Sequence, residues 1–525
     1  MTIRITGMNS GLDTESIITE LTKVQSDKVD SIKSKQKKLE LKQDKWKELN
    51  TKIVSFYKGS LSSMRLEGTF NKKTTTSTDS DAVTVVTGSS AMNSTQSLDI
   101  NSLAKSGYLT GGTVTSQSDS DITSSTTLSD LGITTSGKIT LKFGTGDTTE
   151  SVEVSVNASD SISDFLSNLQ SAESASGYSV NASFDYTNNR FYIASSETGA
   201  DESFSIDEDN STLGSAGLAA LGLLTASSYT DDDGNTVEVS NTATHQDGAD
   251  AEISLNGVTY TNNTNVFEIN GLTITANQEA TGITLTTKND TSGVYDMIKS
   301  FITEYNELIK EMDTLYNADD CDDYDVLTAE QEDEMTDQEI EDWNNKIDEG
   351  LLSGDSILGK VKNAMKNIML STFSLTNKDG VTKNIALSTF GIATGSYFNT
   401  DENERGIYHI DGDEEDDDVS SEEDKLSALI ASDPDLVTEF FSSLTSSLYS
   451  KVGDLMKSTD FSSSFTVYED KAMKKQYDKY TTELEDAQEA LTDLEDKYYD
   501  QFSAMETALS KLNSQQSSLS GLLGS

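Results

Sequence analysis

The apolar positions of the chain fall into three zones with different spacing. From Asp13 to about residue 66 they recur every three or four residues, along Ile18, Leu21, Gln25, Lys28, Ile32, Lys35, Leu39, Lys42, Trp46, Leu49, Ile53 and Phe56. That period predicts a long amphipathic helix with Asp13 as N-cap and Glu15 in its first turn. Its seam is apolar at both ends and diluted by polar residues in the middle. Near the other end, Met473, Tyr477, Tyr480, Leu484, Ala487, Leu491, Leu494 and Tyr498 alternate in four- and three-residue steps. A 4,4,3 step through Phe502 to Met505 then inserts a stutter, which locally unwinds a left-handed supercoil, before Leu509 and Leu512 resume the frame.

Each helix, taken as about 50 residues, is on the order of 75 Å long at 1.5 Å per residue. Matched lengths at opposite ends of the sequence predict that the two pair. The chain between them has to leave and return at one place, so the pair is expected to be antiparallel with both termini at the far end. Lysines 33, 35, 37, 38, 42, 45 and 47 make the middle of the first helix basic, and the acidic residues between Glu483 and Asp500 make the middle of the last one acidic. These centres are expected to face each other. Exposed ion pairs add only about 0.2–1 kcal/mol each, against roughly 1.5–3 kcal/mol for a large buried apolar side chain, so the seam dominates. Leu519, Leu522 and Leu523 leave apolar residues at the tip.

Residues 70–290 switch to period two. Short alternating runs such as "AVTVVTG", "KITLKFG", "SVEVSV", "RFYIAS", "AEISLNGVTY" and "GLTITAN" are separated by Gly, Asn, Asp and Ser, which predicts antiparallel strands. Tyr186, Tyr192, Tyr260 and Phe267 are the aromatics there considered for surface binding. After residue 290 helical spacing returns at Val294, Ile298, Phe301, Tyr305, Leu308, Met312 and Leu315, then over 338–349 and 355–370. "SDPDLVTEFF" starts another helix, with Asp433 as cap and Pro434 in the first helical position. The expected fold is therefore α+β and multidomain: an antiparallel N-/C-terminal helical coiled-coil stalk and a helical bundle carrying inserted β-rich head domains. The expected segments are 1–45 with 486–525 (terminal coiled coil), and 46–71 with 291–485 (bundle, with a mixed insertion near 370–425). Residues 72–105 with 242–290 form a β-rich head, and 106–241 form a second head inserted in the first.

Composition narrows the function. Ninety acidic against 38 basic residues give a net charge of −52, which opposes binding to nucleic acid or to an anionic membrane. There is no apolar run near the roughly 20 residues a membrane span needs, and the opening residues lack the basic head and apolar core of a cleaved secretion signal. Cys321 is the single cysteine; it reads as an incidental exposed thiol whose pKa neighbouring carboxylates raise. The two histidines, His245 and His409, stand far apart with no nucleophile motif beside either, and the glycines near Leu224 lack the ending of a phosphate loop. No enzyme activity and no cofactor are expected. Asp411, Asp413, Glu415 and Glu422 match positions 1, 3, 5 and 12 of a calcium loop, but Asp416 replaces the glycine required at position 6 and no flanking helix pair is evident. A solvated acidic loop is the plainer reading.

Several stretches together resemble the flagellar hook-associated protein 2 family of filament-capping proteins. They are "SGLD" at Ser10–Asp13 followed by Ile17 and Leu21, "SLDINSLAKS" at Ser97–Ser106, "GADAEISLNGVTYTNNTNVFEINGLTIT" at Gly248–Thr275, "FITEYNELIKEMDTLY" at Phe301–Tyr316 and the acidic stretch Leu327–Asp355. "LSTFGIATG" at Leu387–Gly395, "IDGDEEDDD" at Ile410–Asp418 and the final helix also fit; residues 106–241 match only loosely. The family often carries a proline soon after the first turns of the opening helix, and "VQSDKVD" has none. The resemblance implies a homo-oligomeric cap at the extracellular tip of the flagellum that promotes flagellin polymerisation and prevents subunit loss. Flagellin, the hook–filament junction protein and an export chaperone are its implied partners, and export without a cleaved signal its implied route. An adhesin binding host mucin or glycan through the β-rich heads is the alternative. The subunit or filament interface is then expected at Leu12, Ile18, Leu21, Ile32, Leu39, Leu484, Leu491, Leu494, Tyr498, Phe502, Met505 and Leu512.

Overall fold

In the computed structural model the opening helix runs over Thr14–Phe56 and the closing helix over Asp470–Leu523, 43 and 54 residues long. The structure describes residues 10–118, 120–144, 149–231, 233–396 and 400–523, with side chains of the last helix described through Ser520; residues 1–9 and the side chains of Leu522 and Leu523 lie outside the described residues. The chain divides into two units, 1–70 with 291–525, and 71–290.

In the first unit Asp13 caps the opening helix, its carboxylate accepting from the Ser16 N–H, and the helix continues unbroken without the family's proline. It does not reach residue 66 in one piece. Gly59 has ψ −106° inside a π turn at Tyr57–Leu61, and only one further turn, Ser62–Met64, follows. A glycine accepts that backbone at little steric cost, and the bend leaves Tyr57 stacked on Tyr449 with ring centroids 4.1 Å apart. Helix Thr291–Asn317 turns Val294, Ile298, Phe301, Tyr305, Leu308 and Met312 inward. Helices Asp337–Gly350, Ser356–Met369 and Pro434–Leu455 complete the bundle. Asp433 caps the last of these, accepting from the Leu436 N–H, with Pro434 at the first position. Between 370 and 425 lie two short antiparallel pairs, Phe373–Thr376 with Thr382–Ile385 and Ile392–Thr394 with Tyr408–Ile410. One apolar core joins Trp46, Leu49, Ile53 and Phe56 to Phe301, Met365, Phe390, Phe440 and Leu444.

The second unit contains two cores. The chain builds part of the first at residues 82–104, leaves to build the second from 109 to 243, and returns at 251–285. The first core lies under a five-stranded antiparallel sheet ordered Lys73–Ser77, Ala280–Asn289, Ser94–Ser102, Ala251–Leu255, Val258–Asn262, and a three-stranded one ordered Val266–Ile269, Leu272–Ala276, Val83–Thr87. The second uses Gly137–Phe143, Glu150–Val156, Val180–Asp185, Arg190–Ser195 and helix Ile162–Ser171. Alternation is strict in Glu150–Val156, where Val152, Val154 and Val156 point in and their neighbours out. Of the four aromatics considered for binding, Tyr186 is 43% exposed, Tyr192 and Tyr260 are half-buried, and Phe267 is a core residue at 4%. Phe267 occupies an inward strand position beside Ile274.

Candidate assembly surface on the terminal helices

The two long helices pair antiparallel, because contacts fall in sequence at one end as they rise at the other. Ser10 meets Glu506, Gln25 Nε2 donates to the Ala487 carbonyl at 3.0 Å, and Gln36 Nε2 donates to Thr481 Oγ1 at 2.8 Å. Asn50 holds both the carbonyl of Phe465 and the N–H of Val467. Stated by position, the seam of the opening helix is Ile18, Thr22, Gln25, Val29, Ile32, Gln36, Leu39, Gln43 and Trp46, all buried or half-buried. This corrects the frame read from the sequence at alternate places. Leu21 is 47% exposed, and Lys28 and Lys35 are exposed. Lys42 turns away to Asp355 and Leu49 enters the bundle core. The polar seam members hid the register, since Gln25 and Gln36 spend their amides on the closing helix rather than on water.

On the closing helix Leu484, Leu491, Leu494, Tyr498, Phe502 and Met505 are half-buried and Ala487 is 3% exposed. At the stutter Glu506 turns inward to 8% exposure and accepts from the N–H and hydroxyl of Ser10. Past it, residues 511–520 are all exposed, including Leu512 at 60% and Leu519 at 61%. Leu12, just before the opening helix, and Leu21 on it are nearly half exposed, and Val24 is 83% exposed. The structure thus brings Ile18, Ile32 and Leu39 together with the closing-helix seam and leaves Leu12, Leu21 and Leu512 uncovered. Sequence reading missed Val24, whose position becomes legible only once the seam is known to pass through Thr22 and Gln25.

The expected meeting of the two charged centres is also corrected. Among the described residues the inter-element ion pairs of the opening-helix lysines go elsewhere: Lys38 to Asp325, Lys42 to Asp355, Lys45 to Asp348 and Lys52 to Glu311. Those lysines flank the seam, and residues 318–355 lie along that flank. Cys321 is accordingly buried beside Ile347 and Leu351, not exposed. Burial does most to raise its thiol pKa, the nearby Lys38 opposes this, and Asp322 and Asp320 add to it.

Asp355 ties this flank to the bundle. It caps helix Ser356–Met369 through the N–H groups of Ile357 and Leu358 and pairs with Lys42 at 2.8 Å. Burial pushes its pKa up, but Lys42 and the two N–H groups outweigh burial and hold the carboxyl below its ordinary value of 3.8. A depressed folded pKa stabilises above the unfolded value and the contribution fades as pH falls through the folded one. Asp355→Ala is therefore expected to lower stability at pH 7 by about 1–2 kcal/mol, as lost caps do. In urea titrations the gap from the parent should narrow below about pH 4; a gap independent of pH would refute the ionic part of the argument.

The calcium-loop positions sit in a different place, between strand Tyr408–Ile410 and helix Lys425–Ser432. Asp413 and Glu415 share Lys299 at 2.7 Å, Asp411 pairs with Lys425 at 2.9 Å, and Glu422 is exposed. Three of the four carboxylates thus already have an ammonium partner. His409 Nδ1 lies 2.6 Å from Asp416 and braces the same turn.

Sequence profiles of known families decide what kind of chain carries this surface. The profile described as flagellar hook-associated protein 2 C-terminus matches residues 248–514, and that of its N-terminus matches residues 10–107. The chain belongs to the flagellar hook-associated protein 2 family. It is 24% identical to the flagellar hook-associated protein 2 of Halalkalibacterium halodurans over 98% of its own length and 99% of the relative's. It is 29% identical to that of Thermotoga maritima over 39% of this chain and 32% of the relative. A crystal structure of flagellar cap protein domains from Escherichia coli superposes with TM-score 0.47 at 19% identity, covering 78% of this chain and 96% of that one. The family is one of structural, non-enzymatic flagellar cap proteins. Residues 108–247, the second core of the β unit, lie outside both profile matches. Among the described residues no helix is long and apolar enough to cross a membrane.

Proposed function

We propose that the protein is a homo-oligomeric cap at the extracellular tip of the flagellum, assembled through its terminal helices, which promotes flagellin polymerisation and prevents subunit loss. The observation that carries this reading is the exposed apolar surface at the far end of the terminal helices: Leu12, Leu21 and Val24 beside the paired part, and Leu512 and Leu519 on the closing helix past the Ser10–Glu506 contact. Exposed apolar side chains gathered at one end of a molecule mark a contact with another chain. Other copies of this chain take up part of that surface, and flagellin or the hook–filament junction protein at the filament end takes up the rest. Export unfolded, with a chaperone, suits a chain with one cysteine and one proline, because neither disulfide pairing nor many slow isomerisations delay refolding.

The test is light scattering and flagellin polymerisation with full-length protein carrying Leu21→Glu, Val24→Glu, Leu512→Glu and Leu519→Glu together. The substituted residues are exposed, so circular dichroism should be unchanged. The oligomer is expected to fall to monomer and the gain in filament growth to be lost. Unchanged assembly and growth would show that the terminal surface is not the assembly device.

A further inference from the structure

One flank of the opening helix is covered along half its length and bare along the other half. From Leu21 and Val24 it continues at three- and four-residue steps through Lys28, the exposed Ser31 and Lys35 to Lys38, Lys42 and Lys45. The last three are met by Asp325, Asp355 and Asp348 of the same chain, at 3.6, 2.8 and 2.6 Å. Lys28 and Lys35 continue the same chemistry but are exposed, and among the described residues no carboxylate lies within ion-pair distance of either. The covered part shows what this flank accepts: carboxylates carried on another segment.

The closing helix bears the matching feature. Asp486, Glu489 and Asp493 follow each other at three- and four-residue steps on the face away from the Leu484–Ala487–Leu491 seam. All three are exposed, and none has an ion-pair partner among the described residues. In one chain they cannot reach the bare flank, because the helices already meet through their seams and the two stripes look outward. Lys28 and Lys35 stand seven residues apart, as do Asp486 and Asp493, about 10.5 Å along a helix, so both lysines find carboxylates at once.

We infer that the bare flank from Leu21 to Lys35 receives the acidic stripe Asp486–Asp493 of a second copy of this chain. This rests on the assembly reading above and names the surfaces it uses. Copies carrying −52 each repel one another, so a contact between them forms where opposite charges face. The stripes differ, so the contact is heterologous: each copy offers its lysines to one neighbour and its carboxylates to the other, which is how rings close. Each stripe also has residues of the other sign at its edge, Glu20 and Asp27 beside the lysines and Lys497 beside the carboxylates, which set register between copies.

The experiment uses two full-length variants, Lys28→Glu with Lys35→Glu, and Asp486→Lys with Glu489→Lys and Asp493→Lys. Each alone is expected to raise the concentration at half-assembly by about tenfold or more, read by sedimentation velocity. Mixed in equal amounts they should assemble again, since each supplies the charge the other lost. Rescue by mixing cannot come from repair within one chain. Weakened assembly of each variant without rescue on mixing would overturn the inference, as would unchanged assembly of both. If the charge reversals are inert while the four-glutamate variant above still dissociates, only this inference fails and the assembly reading stands; if both are inert, both fail. Altered flagellin binding with unchanged oligomerisation would assign the flank to flagellin and overturn it too.

Discussion

Asp313→Ala is expected to destabilise the helical unit by about 3–5 kcal/mol, the cost of removing one partner from a buried ion pair. Asp313 is 1% exposed on helix Thr291–Asn317. Its carboxylate takes Lys362 at 3.1 Å on one oxygen and Lys366 on the other. Lys362 has little access to water, being 9% exposed in its side chain and standing over the Tyr316 ring at 3.7 Å. Lys366 is admitted because residue 406 is glycine: a Cβ there would come within 2.7 Å of its Cε. Alanine at 313 therefore leaves the buried Lys362 ammonium, and beside it that of the 26% exposed Lys366, without their counterion. Asp313→Asn keeps a hydrogen-bond acceptor and should fall between alanine and the parent. Replacing all three groups with apolar residues of similar volume should recover most of the loss, since the lone charge and not the missing attraction is what costs. Urea unfolding at constant m-value measures each. A loss below about 1 kcal/mol for the alanine variant would mean that water reaches the lysines and that the cluster is not buried as described.

The parts legible in the sequence were those that local chemistry decides. Asp13, Asp433 and Pro434 act within one helical turn, and each caps or starts a helix where its type demands. Val294 to Met312 announced a buried face because the apolar residues are consecutive in the frame. The opening helix misled for a physical reason. Its seam contains Thr22, Gln25, Gln36 and Gln43, so apolarity alone favours the flank through Leu21 and Leu49. A polar seam residue is identified by its partner, and the partner of Gln25 is more than 450 positions away. The lysines misled likewise. Helix one is basic and helix two acidic, but charges on the flanks of a pair pair with whatever packs on the flanks, here residues 318–355. Cys321 is buried because Gly350 permits a close approach: a Cβ there would lie 2.7 Å from the Cys321 nitrogen. That contact has no local sequence signal. Most of the candidate apolar surface was legible by the same logic, Leu12, Leu21, Leu512 and Leu519 being apolar in plain view; Val24 was not. The bare basic flank was not, because it is defined by what fails to cover it.

Trp46 stands where the helix pair joins the bundle, and Trp46→Ala is expected to cost about 3–5 kcal/mol through lost burial and the cavity left behind. The indole is 1% exposed and lies flat on Tyr468, with ring centroids 5.4 Å apart and planes 10° from parallel. Tyr468 belongs to the segment that leads into the closing helix, where Asn50 pins the neighbouring Phe465 carbonyl and Val467 N–H. One side chain thus fixes the point from which the antiparallel pair runs outward. The pair beyond it is held by a polar seam and by half-buried leucines, which cannot make up such a loss. The effect should therefore spread past the bundle. Hydrogen exchange in Trp46→Ala should accelerate along residues 18–43 and 477–498 more than in helix Pro434–Leu455, whose Phe440 and Leu444 keep their partners. Trp46→Phe keeps a ring to stack on Tyr468 and should lose less than half as much. Because the assembly surface at Leu21, Val24 and Leu512 depends on the pair holding its register, the alanine variant should also assemble less well although no surface residue has changed. If stability falls while exchange in the terminal helices and oligomerisation stay at parent values, Trp46 is a bundle residue alone and the pair is anchored elsewhere.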